Sequence, residues 1–105
     1  MDTVLTARHC EIANELRERA AAVLERLGAL AGRAVEGAAV FSLDAGLAGV
    51  ELRLNAPGRA PLVAAAGAAD HRTALDRAEE KLKTQVARAS GRSRGGRHSA
   101  ELPQV

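Results

Sequence analysis

GVELRLNA, residues 49–56, alternates strictly between apolar and polar side chains. A two-residue period belongs to a strand: Val50, Leu52, Leu54 and Ala56 face one way, and Glu51, Arg53 and Asn55 face the other. Such a strand has one buried and one wet face, so other parts of the chain must cover the first. Upstream, EGAAVFSLD (36–44) alternates Ala39, Phe41 and Leu43 against Ala38, Val40 and Ser42, and AGLAG (45–49) marks a glycine-containing turn. Downstream, PGRAP (57–61) breaks the strand and LVAAAGAA (62–69) resumes it. Its alanines also suit a helix, but Pro61 and Gly67 favour a strand. Near the start, TVLTA (3–7) is a further short strand of β-branched and apolar residues.

Two segments carry the other period. Leu16, Ala20, Val23, Leu24, Leu27, Leu30 and Ala31 recur at three- and four-residue steps and predict an amphipathic helix, with Asn14 as its cap and Gly28 and Gly32 toward its end. Its other faces carry mixed charges. Asp70 is placed to cap a second helix reaching about Ala89, with Leu75, Ala78, Leu82, Val86 and Ala89 as its stripe. The order is β-α-β-β-β-α, an α+β fold in which both helices cover one face of a four-stranded sheet. Residues 1–89 form the domain, and the Gly/Ser/Arg-rich residues 90–105 read as a flexible basic tail.

Composition restricts function. One Phe, no Tyr and no Trp leave a core of Leu, Val and Ala, and leave no rings on which bases could stack. The single Cys10 forbids an internal disulfide and suits a reducing compartment. No apolar run approaches the length of a membrane span, and the acids near the start oppose a signal peptide. These features predict a cytoplasmic protein without membrane partners. Charge is unevenly placed: residues 1–70 hold seven basic and nine acidic residues, and residues 71–105 hold eight basic and four acidic.

The inventory for catalysis is thin. His9, His71 and His98 lack metal-ligand spacing beyond the adjacent His9-Cys10 pair, and no nucleophile elbow or phosphate-binding loop is present. The expectation is a protein that is not an enzyme, with no metal and no cofactor. Asp76, Glu79 and Glu80 read as solvent-side helix residues, with Glu79–Lys83 as an i,i+4 pair. What stands out is KLKTQVARASGRSRGGR (81–97), six cations without an acid. At about 100° per residue, Arg77, Lys81 and Arg88 share one helix ridge, and Arg72 and Lys83 lie on the opposite flank. Such a ridge is either a phosphate-tracking surface or an ordinary solvated face, and charge alone leaves both open.

Two stretches bear a family resemblance. TARHCEIANELRERA (6–20) resembles the strand end and first-helix entry of the ribosome hibernation promoting factors, also called ribosome-associated inhibitors or sigma-54 modulation proteins. The matching residues there are Arg8, Glu11, Ile12, Leu16 and Arg17. ADHRTALDRAEEKLKTQVAR (69–88) resembles that family's second helix, with Asp70, Ala74, Leu75, Asp76, Ala78, Lys81, Leu82, Gln85 and Arg88 in register. The resemblance covers residues 3–89. It departs at Leu30-Ala31, where aromatics are frequent, at Arg72-Thr73 in place of a Met-Tyr pair, at Ala13 in place of a capping Thr, and at Ala7 in place of Gly.

The resemblance implies a fold like that of double-stranded-RNA-binding domains. It implies a translation inhibitor that binds the small ribosomal subunit and its ribosomal RNA where mRNA and tRNAs sit, silencing idle ribosomes in a hibernation or stress response. Under it, Arg8, Lys81 and Arg88 are RNA-binding positions; helix geometry and charge add Arg72, Arg77, Lys83, Arg92 and Arg94. Longer members of that family pair ribosomes through a second domain, and no such pairing is expected of this chain. The competing readings are a protein-interaction module using the open sheet face around Val40, Arg53 and Val63, a general RNA-binding protein, and a weak homodimer through a strand edge or sheet face.

Overall fold

The alternating segment forms the third strand of a four-stranded sheet in a computed structural model that describes residues 1–32, 34 and 36–93. The elements are β1 (Asp2–Arg8), α1 (Asn14–Leu30), β2 (Glu36–Asp44), β3 (Leu47–Asn55), β4 (Leu62–Ala68) and α2 (His71–Ser93). Their order is β-α-β-β-β-α, as the periodicities predict. Spatial order follows chain order, β1-β2-β3-β4. β1 and β2 run parallel because α1 carries the chain back across the sheet between them, and the two later connections are short enough to give antiparallel pairs.

One core explains the two-layer arrangement. Ala39 and Phe41 of β2, Ala48, Val50, Leu52 and Leu54 of β3, and Ala64 and Ala68 of β4 point toward the helices and are buried. Ala20, Val23, Leu24 and Leu27 of α1 meet them, with Ala74, Leu75, Ala78, Leu82 and Val86 of α2. Each fully buried leucine contributes about 1.5–3 kcal/mol relative to exposure. Phe41, the single aromatic residue, is 1% exposed at the centre of this layer. No helix among the described residues is long and apolar enough to cross a membrane.

The helices run in the same direction. Arg19 pairs with Asp76 at 2.8 Å and Arg26 pairs with Glu79, so increasing positions on α1 meet increasing positions on α2. These bridges displace the anticipated Glu79–Lys83 pair; Lys83 instead lies 3.8 Å from Glu80. An acid one helix away competes successfully when the helix–helix interface holds it at bonding distance.

Other details differ from the sequence reading. β3 starts at Leu47, so the turn shrinks to Ala45-Gly46, both with positive φ (51° and 78°). That is the two-residue hairpin turn whose twist matches the strands, and alanine is a strained occupant of its first position. Asn14 begins α1 rather than capping it: Ala13 holds the cap position and makes no side-chain bond there. Leu30 is 60% exposed rather than on the buried stripe: the stripe runs on through Leu27 to Ala31, and Leu30 sits about 100° round the helix from Ala31. Gly32 follows with φ 85°, the left-handed step that commonly ends a helix. Finally, α2 continues past Ala89 to Ser93, so the helix crosses the expected domain boundary, and residues 94–105 lie outside the described part.

Candidate nucleic-acid interface

The buried stripe of α2 fixes where its cations go. With Leu75, Ala78, Leu82 and Val86 against the sheet, a rotation of about 100° per residue leaves Arg77, Lys81, Gln85 and Arg88 along one flank. Arg72, Asp76, Glu79 and Lys83 fall along the other. Thr73, Glu80 and Thr84 occupy the crest between them, which is therefore not cationic.

The first flank overhangs the outer edge of β4. Arg77 Nη1 donates to the Gly67 carbonyl at 3.0 Å, and Lys81 Nζ donates to the Ala65 carbonyl at 2.9 Å. Gln85 closes a two-point contact with Val63: its Nε2 donates to the carbonyl at 2.7 Å, and its Oε1 accepts from the N–H at 3.1 Å. Three side chains four residues apart thus serve three strand residues two apart. The spacings agree because four helical residues rise about 6 Å, close to two strand residues at about 3.3 Å each.

These bonds place the cations without neutralising them. A carbonyl is a dipole, so the full charges of Arg77 and Lys81 persist, and each keeps further N–H donors for a second acceptor. Their rotamers are already restricted, which lowers the ordering cost of binding an anion. Lys81 also borders a shallow groove across the uncovered sheet face, whose lining includes Ser42, Gly49, Ala65 and Gly67 and which Arg8 borders too. With strands about 4.8 Å apart, Arg8 on β1 and the β4 edge stand about 14 Å apart. Arg88 continues the first flank about 10 Å beyond Lys81.

The remaining predicted positions divide as follows. Arg8, Arg72 and Arg88 are exposed, and none makes a hydrogen bond or ion pair through its side chain among the described residues, nor does Arg17. Arg72 lines a depression with Ala13, Glu15, Leu16 and Arg19 where the two helices begin, away from the first flank. Lys83 lies near Glu80 and is partly neutralised. Arg92 falls in the final turn of α2, with its side chain outside the described part, and Arg94 lies outside the described residues. Gln85 is the member of this site that charge reasoning passes over, because its role depends on a strand edge far away in sequence. Its signals in the sequence are the four-residue step Arg77-Lys81-Gln85 and its place in the matched second-helix pattern.

Cys10 meets His71 rather than its neighbour His9: Cys10 Sγ lies 4.0 Å from His71 Nε2. The same Nε2 lies 2.7 Å from the Ser42 carbonyl, which can only accept, so Nε2 carries the proton. It therefore offers the thiol no lone pair, and the contact lacks the geometry of a thiol–imidazole dyad. With Phe41 edge-on to the His71 ring, centroids 5.9 Å apart, the contact ties the β1–α1 connection to the start of α2. Asp70 caps α2 as predicted, accepting from Thr73 N–H at 2.9 Å and from the Thr73 hydroxyl. Those bonds, the backbone one foremost, hold its carboxyl below the usual aspartate range. Among the described residues, no group of three or more His, Cys, Asp or Glu side chains is placed to hold a metal ion.

Comparison with known proteins follows the same lines. Residues 3–94 match the family model described as sigma 54 modulation protein / S30EA ribosomal protein. No curated protein matches by sequence. Among solved structures, the chain is similar to the N-terminal domain of Protein Y from Thermus thermophilus, with 30% identity and a TM-score of 0.71 over 84% of this chain and 98% of that one. It is also similar to a ribosomal subunit interface protein from Coxiella burnetii, with a TM-score of 0.74 over 84% of this chain and 96% of that one. At 23% identity, the second likeness concerns the fold alone.

Proposed function

The chain belongs to the sigma 54 modulation protein / S30EA ribosomal protein family, and from that membership we propose that it is a ribosome-associated translation inhibitor of the hibernation type. It binds the small subunit in the cytoplasm, at the decoding region where mRNA and tRNAs sit, and silences idle ribosomes under stress. The observation that carries this reading is the first flank of α2. Arg77 and Lys81 are anchored on β4 carbonyls with their charges uncancelled, and Arg88 beyond them makes no side-chain hydrogen bond or ion pair among the described residues. The likeness to a Protein Y domain at 30% identity supports the same reading.

Mechanistically, recognition is of the ribosomal RNA backbone and its shape. The single Phe is buried and Tyr and Trp are absent, so bases have no such ring to stack on. Arg8 on the sheet side and Lys81 at the β4 edge meet phosphates at the two rims of a groove, and Arg88 extends the contact along the helix. The floor of the groove holds small and apolar residues and the acid Glu51, which keeps phosphates to the rims. Occupying the channel excludes mRNA and tRNA by volume, so no chemical step is required. The test is co-sedimentation of the purified protein with small subunits, with and without bound mRNA and tRNA. Binding to empty subunits that is lost when the channel is filled is the expected result. Equal binding to empty and filled subunits would rule out the decoding region as the site.

A further inference from the structure

The two edges of the sheet are treated differently. At the β4 edge, the Val63 N–H and the carbonyls of Val63, Ala65 and Gly67 are all taken by side chains of α2. At the β1 edge, no outward backbone group has a hydrogen-bond partner among the described residues. Folded proteins commonly blunt an open edge with a central charge, a proline or a bulge. Thr3-Val4-Leu5-Thr6-Ala7 has none of these. Val4 is 51% exposed, and the helix-side residues Thr3, Leu5 and Ala7 are only half-buried.

We infer that this edge pairs with β1 of a second copy of the chain, antiparallel and centred on Leu5. The charges of the strand select both partner and register. In this register Asp2 lies opposite Arg8 of the other copy, and Arg8 opposite its Asp2, both on the uncovered face of the sheet. Val4 meets Thr6, Thr3 meets Ala7, and Leu5 meets Leu5. A shift of two residues either way loses both ion pairs, and a one-residue shift would turn the open face inward. Parallel, in-register pairing would instead set Asp2 on Asp2 and Arg8 on Arg8.

Each end of β1 also lacks charge balance within the monomer. Asp2 sits directly across from Glu36 on β2, acid beside acid, and among the described residues Arg8 has no acidic partner. A two-fold axis perpendicular to the sheet brings the excess acid of one copy to the excess base of the other. It joins two four-stranded sheets into one of eight, with all helices on the same side. The contact is one pair of short strands, far smaller than the surface of a stable complex, so the association is weak and salt-sensitive.

Sedimentation equilibrium on the protein alone, from about 10 µM to about 1 mM, tests this independently of any RNA binding. The average mass rises with concentration toward twice the monomer mass. Asp2→Arg or Arg8→Asp each weakens association about tenfold or more, and the double exchange Asp2→Arg/Arg8→Asp restores it. Both residues are exposed, so these variants keep the fold. A Leu5→Cys/Cys10→Ser variant forms a disulfide-linked dimer on oxidation, and Thr3→Cys/Cys10→Ser does not. A monomer at every concentration, an exchange variant that fails to recover, or cross-linking at Thr3 in place of Leu5 would overturn the proposal. So would a chain ending at Ser93 that associates while the full chain does not, since residues 94–105 would then be the occupant of the edge.

Discussion

Replacing Arg77, Lys81 and Arg88 together by glutamine removes three positive charges from one flank of α2 and leaves each position a donor. The carbonyls of Gly67 and Ala65 are served at exposed positions, so water can replace a lost anchor and each costs at most about 1 kcal/mol. Arg88 has no partner to lose among the described residues. If all three cations meet phosphates, the slope of log K against log salt becomes shallower by about 0.7–0.9 per charge, or about 2.1–2.7 in all. Between about 50 and 200 mM salt, a span of about 0.6 log units, the unaltered protein then loses about 20- to 40-fold more affinity than the variant. Equilibrium co-sedimentation with purified small subunits at constant magnesium measures both slopes, and circular dichroism checks that the fold survives. Equal slopes for the two proteins would mean that this flank carries no phosphate contact, and the argument from anchored charges would fail.

Three further outcomes follow from the structure. Ala45→Asn relieves a left-handed alanine in the β2–β3 turn and raises stability by about 1 kcal/mol, seen as a higher urea midpoint at unchanged m-value. Gln85→Met removes both bonds to Val63, costs about 1–2 kcal/mol, and speeds hydrogen exchange at the Val63 amide selectively. Asp70 has a lowered folded pKa, so its ionised cap stabilises the fold above the unfolded pKa, and that contribution is lost as pH falls through the folded value. Asp70→Asn caps without titrating, so its melting temperature lacks this acid dependence, and the difference between the two proteins changes below about pH 4.

The likeness between this chain and its family rests partly on positions with a structural role. Lys81 and Gln85 both belong to the matched helix pattern, and both hold the β4 edge. A fixed spacing of a cation and an amide on one flank is what a strand edge demands, whatever else the cation touches. Arg88 differs: it makes no side-chain hydrogen bond or ion pair among the described residues, so its place in the pattern has no such structural explanation there.

Periodicity determined most of the elements, with Pro61 and Gly67 deciding the fourth strand and β-branched composition the first. The two-residue alternation of GVELRLNA and the three- and four-residue steps of the helices specify which faces are apolar, and burial of those faces leaves few ways to stack two helices on four strands. Local chemistry of the same kind made the Asp70 cap readable, because its partner Thr73 lies three residues away. Tertiary structure decided whatever depends on a partner distant in sequence. It sent Asp76 and Glu79 to α1 arginines rather than to neighbours on their own helix. It turned Arg77, Lys81 and Gln85 onto the β4 edge, and among the described residues it left the β1 edge uncovered. A residue's rotation about its own helix follows from counting, whereas what stands opposite depends on how the sheet closes. That is why the cationic flank could be located from the sequence, and its anchoring could not.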